Sequence, residues 1–337
     1  MKLNERMEAA SRLGKSLLNP GEKFLEACEK ARQANVWFTQ SNIKLVVKNI
    51  ATDYLEWQAL HNWVRNYSID ETNSKKIGIV AAGNIPLVVF HDVLASFISG
   101  HQSKIKLSQK DEILLPALID EFIAIDSRVA PYFEFVERIK EIDAVIATGS
   151  DNSSRYFHYY FDKYPNIIRK SRIGLAIITG DESDDELMAL GMDVFLYFGL
   201  GCRNVSSLRV PKGYSFSRLL KLWEAFREVR DNHAYNNNFD YNYALYIMNN
   251  IPHLSNDVIL FVESENLVSR LATINYQYYD DPVSLIENVK FNLDQLQVVV
   301  CHKPLKELKT VAPGMAQCPG LMDYADGLDT MKFLCSL

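Results

Sequence analysis

Cysteine is scarce in this sequence of 337 residues. The five cysteines are odd in number and irregularly spaced: Cys28, Cys202, Cys301, Cys318 and Cys335. Disulfide frameworks of secreted chains use even numbers of cysteines, and structural zinc sites use closely spaced Cys and His ligands. Neither pattern is present. We therefore expect no metal site and a reducing, cytoplasmic setting, in which a thiol stays free to react.

The sequence also lacks long apolar runs and an excess of positive charge. No window is long enough to span a membrane, and the polar start "MKLNERMEAASRLGK" has no apolar leader segment. The 36 basic and 42 acidic residues give a net charge of −6, which argues against binding nucleic-acid backbones. The residues are 48% hydrophobic, enough for the core of two domains or of one large domain with an appendage.

The first part of the chain is patterned for helices. The stretch "KFLEACEKARQANVWF" carries apolar residues at helical spacing, and the polar segment 68–76 interrupts this pattern. Beyond it, short apolar runs that end at glycine alternate with helical stretches. This alternation is typical of a parallel α/β sheet with crossover helices.

These changes of pattern divide the chain into four predicted parts. We expect an N-terminal helical region over residues 1–72 and a Rossmann-like α/β domain over 73–183, with "IGLAIITGD" as its last strand. A second α/β domain covers 184–305. The tail 306–337 is a candidate contact in an oligomer.

The stretch "AAGNIP" places Asn84 between a buried strand and a helix. We expect that helix to begin at Pro86, because proline suits the first helical turn. In one interpretation Gly83 makes the turn and Asn84 caps the helix. In the other, the Asn84 amide donates to a developing oxyanion, since open parallel sheets bind ligands at the carboxyl ends of their strands. The residues alone leave both open.

Two later strand ends carry further polar candidates. Lys106 ends the strand in "SKIKLS", where its ammonium either meets a ribose or phosphate or is an ordinary surface charge. Gly149 and Ser150 end a strand and begin a helix, so backbone N–H groups there can face a pyrophosphate. This turn is not a G-x-G-x-x-G fingerprint, and serines that only cap the helix are the alternative.

Cys202 stands in the stretch "YFGLGCRN", behind Gly199 and Gly201. Unpaired cysteines are commonly buried and inert. Against this, two glycines allow a ligand to approach the backbone, and the N–H groups of such a loop can bind an oxyanion. The local sequence favours neither interpretation of the thiol.

The four motifs in this order resemble the aldehyde dehydrogenase superfamily. Three segments are similar in sequence to one branch of it: "AAGNIPLVVFHDVLASFISGHQSKIKLSQKDEILLPALIDEF", "IDAVIATGSDNSSRYFHYYF" and "GLGCRNVSSLRVP". That branch is the acyl-CoA reductases related to the reductase subunit of the bacterial luminescence fatty-acid reductase complex. The resemblance runs from about 77 to 300. It implies an α/β fold with a nicotinamide cofactor domain, a catalytic domain and N-terminal helices.

The resemblance also implies roles for single residues. Cys202 matches the catalytic cysteine that forms an acyl-enzyme thioester, and Asn84 matches the asparagine of the oxyanion hole. On the cofactor side, Lys106 matches the lysine at the adenosine ribose. Gly149 and Ser150 match the turn at the phosphates and nicotinamide. Glu265 matches the glutamate at the nicotinamide ribose, although Leu-Val-Ser follows it here instead of the usual Phe-Gly-Pro.

Two departures from the superfamily bear on the chemistry. Hydrolytic members carry a glutamate base before the last cofactor-domain strand, whereas residues 166–180 contain no Asp or Glu. An acyl-cysteine would then persist long enough to accept hydride or exchange with another thiol. Gln109, next to Lys110, replaces an acidic residue near the adenosine ribose, which favours NADPH over NADH.

The implied activity is reduction of an acyl thioester, such as fatty acyl-CoA, to the aldehyde by NADPH or NADH. Two alternatives stay open: a CoA-acylating aldehyde dehydrogenase for short aldehydes, and a cofactor-binding protein of the same fold without turnover. The resemblance further implies an acyl-CoA or acyl-protein donor, an acyl-protein synthetase partner and assembly as a homo-oligomer.

Overall fold

The computed structural model describes residues 1–337, apart from the side chain at position 151. Helices and strands alternate over most of this length. The α-helices are Leu3–Leu18 (α1), Glu22–Ala34 (α2), Gln40–Asn49 (α3), Trp57–Val64 (α4), Phe90–Ser99 (α5), Leu114–Ile125 (α6), Asp151–Phe161 (α7), Asp184–Phe195 (α8), Ser217–Trp223 (α9), His233–Met248 (α10), Pro282–Phe291 (α11) and Thr330–Cys335 (α12). The strands are Lys76–Val80 (β1), Gln102–Lys106 (β2), Phe133–Phe135 (β3), Ala144–Thr148 (β4), Asn166–Arg169 (β5), Ile173–Ile177 (β6), Val205–Pro211 (β7), His253–Ser255 (β8), Leu260–Glu263 (β9), Thr273–Tyr279 (β10) and Leu296–Val300 (β11).

Contacts between residues divide the chain into two units. The first unit contains residues 1–171 and 320–337, and the second unit contains residues 172–319. Each unit has its own sheet and its own buried core. Among the helices of the described chain, none is long and apolar enough to cross a membrane.

The first sheet has the strand order β3-β2-β1-β4-β5, and all of its strands are parallel. The chain proceeds outward from β1 to β3 and then returns to β4 on the other side of β1. This reversal makes a topological switch point between β1 and β4. In open parallel sheets, ligands bind at such a point, outside the carboxyl ends of the strands.

The N-terminal helices and the C-terminal segment share one core with the first sheet. Buried Met7 and Leu13 of α1 belong to this core, as do Met331 and Leu334 of α12. The predicted N-terminal region is therefore part of the first unit. The predicted tail is divided, because its last eighteen residues complete the first unit and the rest belongs to the second. Apolar faces have to be buried, and these helices bury theirs on the sheet.

The second sheet has the order β11-β6-β7-β10-β9-β8, with only β8 antiparallel to its neighbour. It includes β6, the strand that the sequence pattern assigned to the first domain. The difference arises because β6 pairs with β7 and β11, the latter more than a hundred residues away. A buried parallel strand is apolar on both faces, so its own sequence does not indicate which sheet it joins.

Candidate active site

The predicted cofactor residues of the first unit lie at one edge of its sheet. The register aligns Val80, the last residue of β1, with Lys106 on β2 and with Ala147 on β4. The turn 149–150 and the loop with Asn84 therefore follow neighbouring strand ends. These are the two loops that flank the switch point.

Asn84 does not cap a helix. The helix that we expected from Pro86 begins at Phe90, with Val89 as its N-cap residue. Leu87 interrupts it, because its φ of +54° is left-handed. Such a backbone is costly for a leucine and persists only when its surroundings hold it.

Asp111, between β2 and α6, holds the Asn84 loop in place. Its buried carboxylate accepts the backbone N–H of Leu87 at 2.9 Å and that of Leu114, in the first turn of α6, at 3.4 Å. Burial raises the pKa of Asp111 to about 6, although the two N–H donors act in the opposite direction. The Asn84 loop is thus fixed to the loop after β2.

Two glycines leave room for neighbouring side chains at this edge. A Cβ on Gly83 would lie 2.6 Å from the Ser108 hydroxyl, and one on Gly149 would lie 2.8 Å from the side chains of Phe157 and Ser153. Ser150 is the N-cap of α7, and its hydroxyl accepts the Ser153 N–H at 3.3 Å. Gly149 is therefore required by the packing of its own turn.

These residues fit a nicotinamide dinucleotide. The start of α7 brings helix N–H groups and the positive end of its dipole to the switch point, and such a position can stabilise an anionic pyrophosphate. Lys106 is exposed at the end of the adjacent strand β2 and adds a cation at the same edge. Gln109 and Lys110 are exposed just beyond it.

Cys202 lies in the second unit, on a turn with unusual backbone geometry. After α8 the chain takes three consecutive left-handed conformations, at Tyr197 (φ 53°), Phe198 (φ 58°) and Gly199 (φ 77°). Bulky aromatic residues rarely adopt them, and such strain concentrates at functional sites. The turn 201–203 follows, with the Cys202 thiol partly exposed. Cys202 is thus not a residue of the buried core.

Asn204 anchors this turn from inside. Its side-chain oxygen accepts the Gly201 N–H at 2.8 Å. Its amide donates to the carbonyls of Asp193 at 3.0 Å, Val194 at 3.3 Å and Leu196 at 2.8 Å. The side chain is buried, so these bonds are shielded from water. Asn204 therefore joins the end of α8 to both sides of the cysteine.

Replacing Asn204 by alanine is expected to lower the free energy of unfolding by about 2–3 kcal/mol, because buried carbonyls lose their donor. Urea unfolding measures the change. Asn249→Ala is the matched control, since the exposed Asn249 amide bonds only to a carbonyl of its own helix at 2.7 Å. Equal losses in the two variants would contradict an anchoring role for Asn204.

Arg203, next to the cysteine, is bound to a different segment. Its Nε donates to the carbonyl of Ala316. The buried carboxylate of Asp193 holds the same segment, accepting the N–H of Gly314 at 2.7 Å and of Ala316 at 2.9 Å. Burial raises the pKa of Asp193 to about 6. The contact favours a structural role for Arg203 over activation of the thiol.

Glu265 is exposed in the loop after β9. The loop bends back onto the sheet of the second unit, where Leu267 accepts the Ser206 hydroxyl at 3.2 Å. The Asn275 amide on β10 holds it too, donating to Asn266 at 2.9 Å and to Val268 at 3.1 Å. The segment that carries Glu265 is thus fixed to β7 just after the cysteine turn.

One polar cluster of the second unit was missed at the sequence level. Ligand atoms of Asp181, Glu182 and His302 lie within 4.8 Å of one another, where the loops after β6 and β11 meet. Lys303 already pairs with Asp181, and the Thr179 hydroxyl lies 2.7 Å from His302. Because His302 is about 120 residues from the acids, no spacing motif could have indicated the group.

Solved structures of aldehyde dehydrogenases share this architecture. The chain is similar to an NAD-dependent aldehyde dehydrogenase of Sinorhizobium meliloti (TM-score 0.67, 12% identity, 91% of this chain and 71% of that one). It is also similar to an indole-3-acetaldehyde dehydrogenase solved with NAD+ (0.67, 9%, 89% and 72%) and to the NAD+ complex of a Bacillus cereus aldehyde dehydrogenase (0.64, 13%, 89% and 72%). The chain therefore has the aldehyde dehydrogenase fold.

The comparison with sequence families gives a more specific result than the comparison with solved structures. The model of the acyl-CoA reductase (LuxC) family matches residues 18–209, which is more than half of the chain and extends from α1 to β7. No curated protein matches the sequence. The chain belongs to the acyl-CoA reductase (LuxC) family, which supports an oxidoreductase activity on acyl or aldehyde groups.

Proposed function

We propose that the protein reduces an acyl thioester, with fatty acyl-CoA as the substrate class, to the aldehyde through an acyl group bound to Cys202. The observation that carries the proposal is the Cys202 turn. Cys202 is partly exposed, follows the strained segment 197–199, and lies in a turn that Asn204 fixes, in a chain of the acyl-CoA reductase family. A core cysteine would need neither the exposure nor the strain.

In the proposed reaction the Cys202 thiolate attacks the carbonyl carbon of the thioester. The bond from that carbon to the CoA sulfur breaks, and CoA leaves as a thiolate that takes up a proton. We propose that the Cys202 backbone N–H donates to the oxyanion that forms in between. After reduction of the acyl group, the bond to the Cys202 sulfur breaks and the aldehyde is released.

The stretch 166–180, which lacks a carboxylate, supports this order of events. Residues 166–180 contain no Asp or Glu, and the Arg169 side chain in this stretch is held by Asp92. No carboxylate of this stretch can activate water against an acyl-cysteine. We therefore propose that the acyl group waits for reduction instead of being hydrolysed to a carboxylate.

A bound reduced nicotinamide supplies the hydride. We propose that Lys106, Gly149 and Ser150 bind its adenosine and phosphate portion and that Glu265 binds the nicotinamide ribose. The exposed Lys110, beside the uncharged Gln109, favours a 2′-phosphate, so NADPH is the proposed reductant.

We propose that Asn84 supplies the second oxyanion donor, as the family resemblance implies. Replacing Asn84 by alanine is expected to lower kcat about 100-fold with little change in KM, because the bond forms only in the transition state. Steady-state kinetics measure both constants. The exposed Asn73 of the same unit serves as the control through Asn73→Ala, which we expect to be neutral. A rise in KM at constant kcat would contradict the assignment.

Intact-protein mass spectrometry tests the acyl-cysteine directly. Mixing the protein with acyl-CoA, without a reductant, should add the mass of one acyl group, located on Cys202 by peptide analysis. A panel of acyl-CoAs with NADPH or NADH then defines chain length and cofactor. Preference for short aldehydes with CoA in the reverse direction would favour an acylating dehydrogenase. Cofactor binding with neither adduct nor aldehyde would indicate a protein without turnover.

A further inference from the structure

The N-terminal helices of the first unit enclose an apolar groove. It lies between α2 and α3, over the end of α1, and has a volume of about 700 Å³, within the range of small-molecule sites. Its floor consists of side chains that are buried: Leu17, Phe24, Ile43 and Val47. Leu18 and Leu25 line it as well, although each is about half exposed. These leucines extend the apolar lining of the groove to the surface.

Most of the lining of the groove comes from two helices. Its lining residues extend from Phe24 to Arg32 on α2 and from Gln40 to Lys48 on α3. Eight residues of helix rise by about 12 Å. A ligand in the groove can therefore contact both helices over about this length.

The rim of the groove is positively charged. Lys44 and Lys48 lie one turn apart on α3, both are exposed, and neither forms an ion pair among the described side chains. Arg32 is different, because Glu29 accepts two of its N–H bonds at 2.6 and 2.8 Å and neutralises it. The two lysines therefore leave the lining with a net charge of about +2.

Cys28 lies in the same lining. Burial raises the pKa of its thiol to about 11, so the group is uncharged at neutral pH and behaves as a small apolar side chain.

We propose that this groove binds the hydrocarbon chain of a fatty amphiphile with an anionic head, and that Lys44 and Lys48 face that head. The apolar floor matches the hydrocarbon chain, and the unpaired cations match the anionic head. A free fatty acid and a fatty acyl-CoA share this chemistry. The proposal does not depend on the proposed reaction at Cys202.

Titration of the full-length protein with 11-(dansylamino)undecanoic acid, followed by fluorescence, tests the proposal. The double substitution Lys44→Glu with Lys48→Glu is expected to raise the Kd at least tenfold. Its matched control, Lys23→Glu with Lys30→Glu, makes the same charge change at exposed positions of α2 outside the groove and should change the Kd less than twofold. Equal effects of the two double variants would overturn the proposal.

Competition identifies the ligand class. Laurate should displace the probe, and dodecyltrimethylammonium, which has the same chain with a positive head, should not. Lauroyl-CoA that competes equally would show that the head group can be large, whereas competition by laurate alone would restrict the site to free fatty acids. Competition by the cationic amphiphile as good as that by laurate would overturn the proposal.

The rate of Cys28 alkylation by N-ethylmaleimide, resolved by peptide mass spectrometry, locates the ligand. Laurate is expected to slow this rate at least fivefold, and to do so equally in Cys202→Ala, so that failure of the proposed reaction leaves the test intact. Unchanged alkylation at saturating laurate would place the ligand elsewhere. Protection without laurate that rises with protein concentration, together with self-association in ultracentrifugation, would assign the groove to a second copy instead.

Discussion

Aldehyde formation from acyl-CoA is expected to fall by at least about 10⁴-fold when Cys202 is replaced by alanine, because losses of this size follow removal of a covalent nucleophile. The substitution removes the one sulfur that the turn after α8 presents. Oxidation of the reduced nicotinamide, followed by its absorbance, measures the rate. The acyl adduct seen by mass spectrometry should disappear in the same variant.

Cys318→Ala provides the control for this experiment. Cys318 is more exposed than Cys202 and lies in the same unit, so its substitution removes an accessible thiol and should leave the rate unchanged. Retention of more than a tenth of the activity in Cys202→Ala would exclude covalent catalysis at this position. The family membership would then stand, but the proposed reaction would not.

The second large effect concerns the core of the first unit. Arg169, at the end of β5, donates to both carboxylate oxygens of Asp92 on α5, at 2.6 and 3.0 Å, and to the hydroxyl of Thr330 on α12 at 2.7 Å. All three side chains are buried. Asp92→Ala leaves a guanidinium charge in this core without its counter-ion. The free energy of unfolding should fall by about 3–5 kcal/mol, the usual cost of breaking a buried ion pair.

Urea unfolding measures this loss, and an exposed ion pair of the chain sets the comparison. Lys212 and Asp280 lie 3.0 Å apart, but both are mostly exposed, so Asp280→Ala should cost less than about 1 kcal/mol. Similar losses in the two variants would mean that the Arg169 contact is not the link between strand and helices that its geometry indicates.

The fold class was predictable from the chain itself. Period changes near residue 76 and the repeated strand-glycine-helix pattern predicted parallel sheets with crossover helices, which the structure confirms. The aldehyde dehydrogenase fold and the acyl-CoA reductase family, both expected from the motif order, are confirmed as well.

What the sequence could not predict depends on residues far apart along the chain. The prediction that a helix begins at Pro86 was wrong, because the carboxylate of Asp111, 24 residues away, holds Leu87 in a left-handed conformation. The Asn204 bonds to the end of α8 left no sequence signal either, since asparagine is common in turns for other reasons. Burial of the groove floor likewise depends on three helices packing together.

The Arg169 contact with α12 has a consequence for how the molecule is made. During synthesis, Asp92 and Arg169 leave the ribosome well before Thr330, and the whole second unit is translated in the interval. Domains generally fold as they emerge, yet a nascent chain of residues 1–171 still lacks Met331 and Leu334, which are buried in its core. The core of the first unit is therefore incomplete in this nascent chain. The first unit can finish folding only after the second unit has been translated.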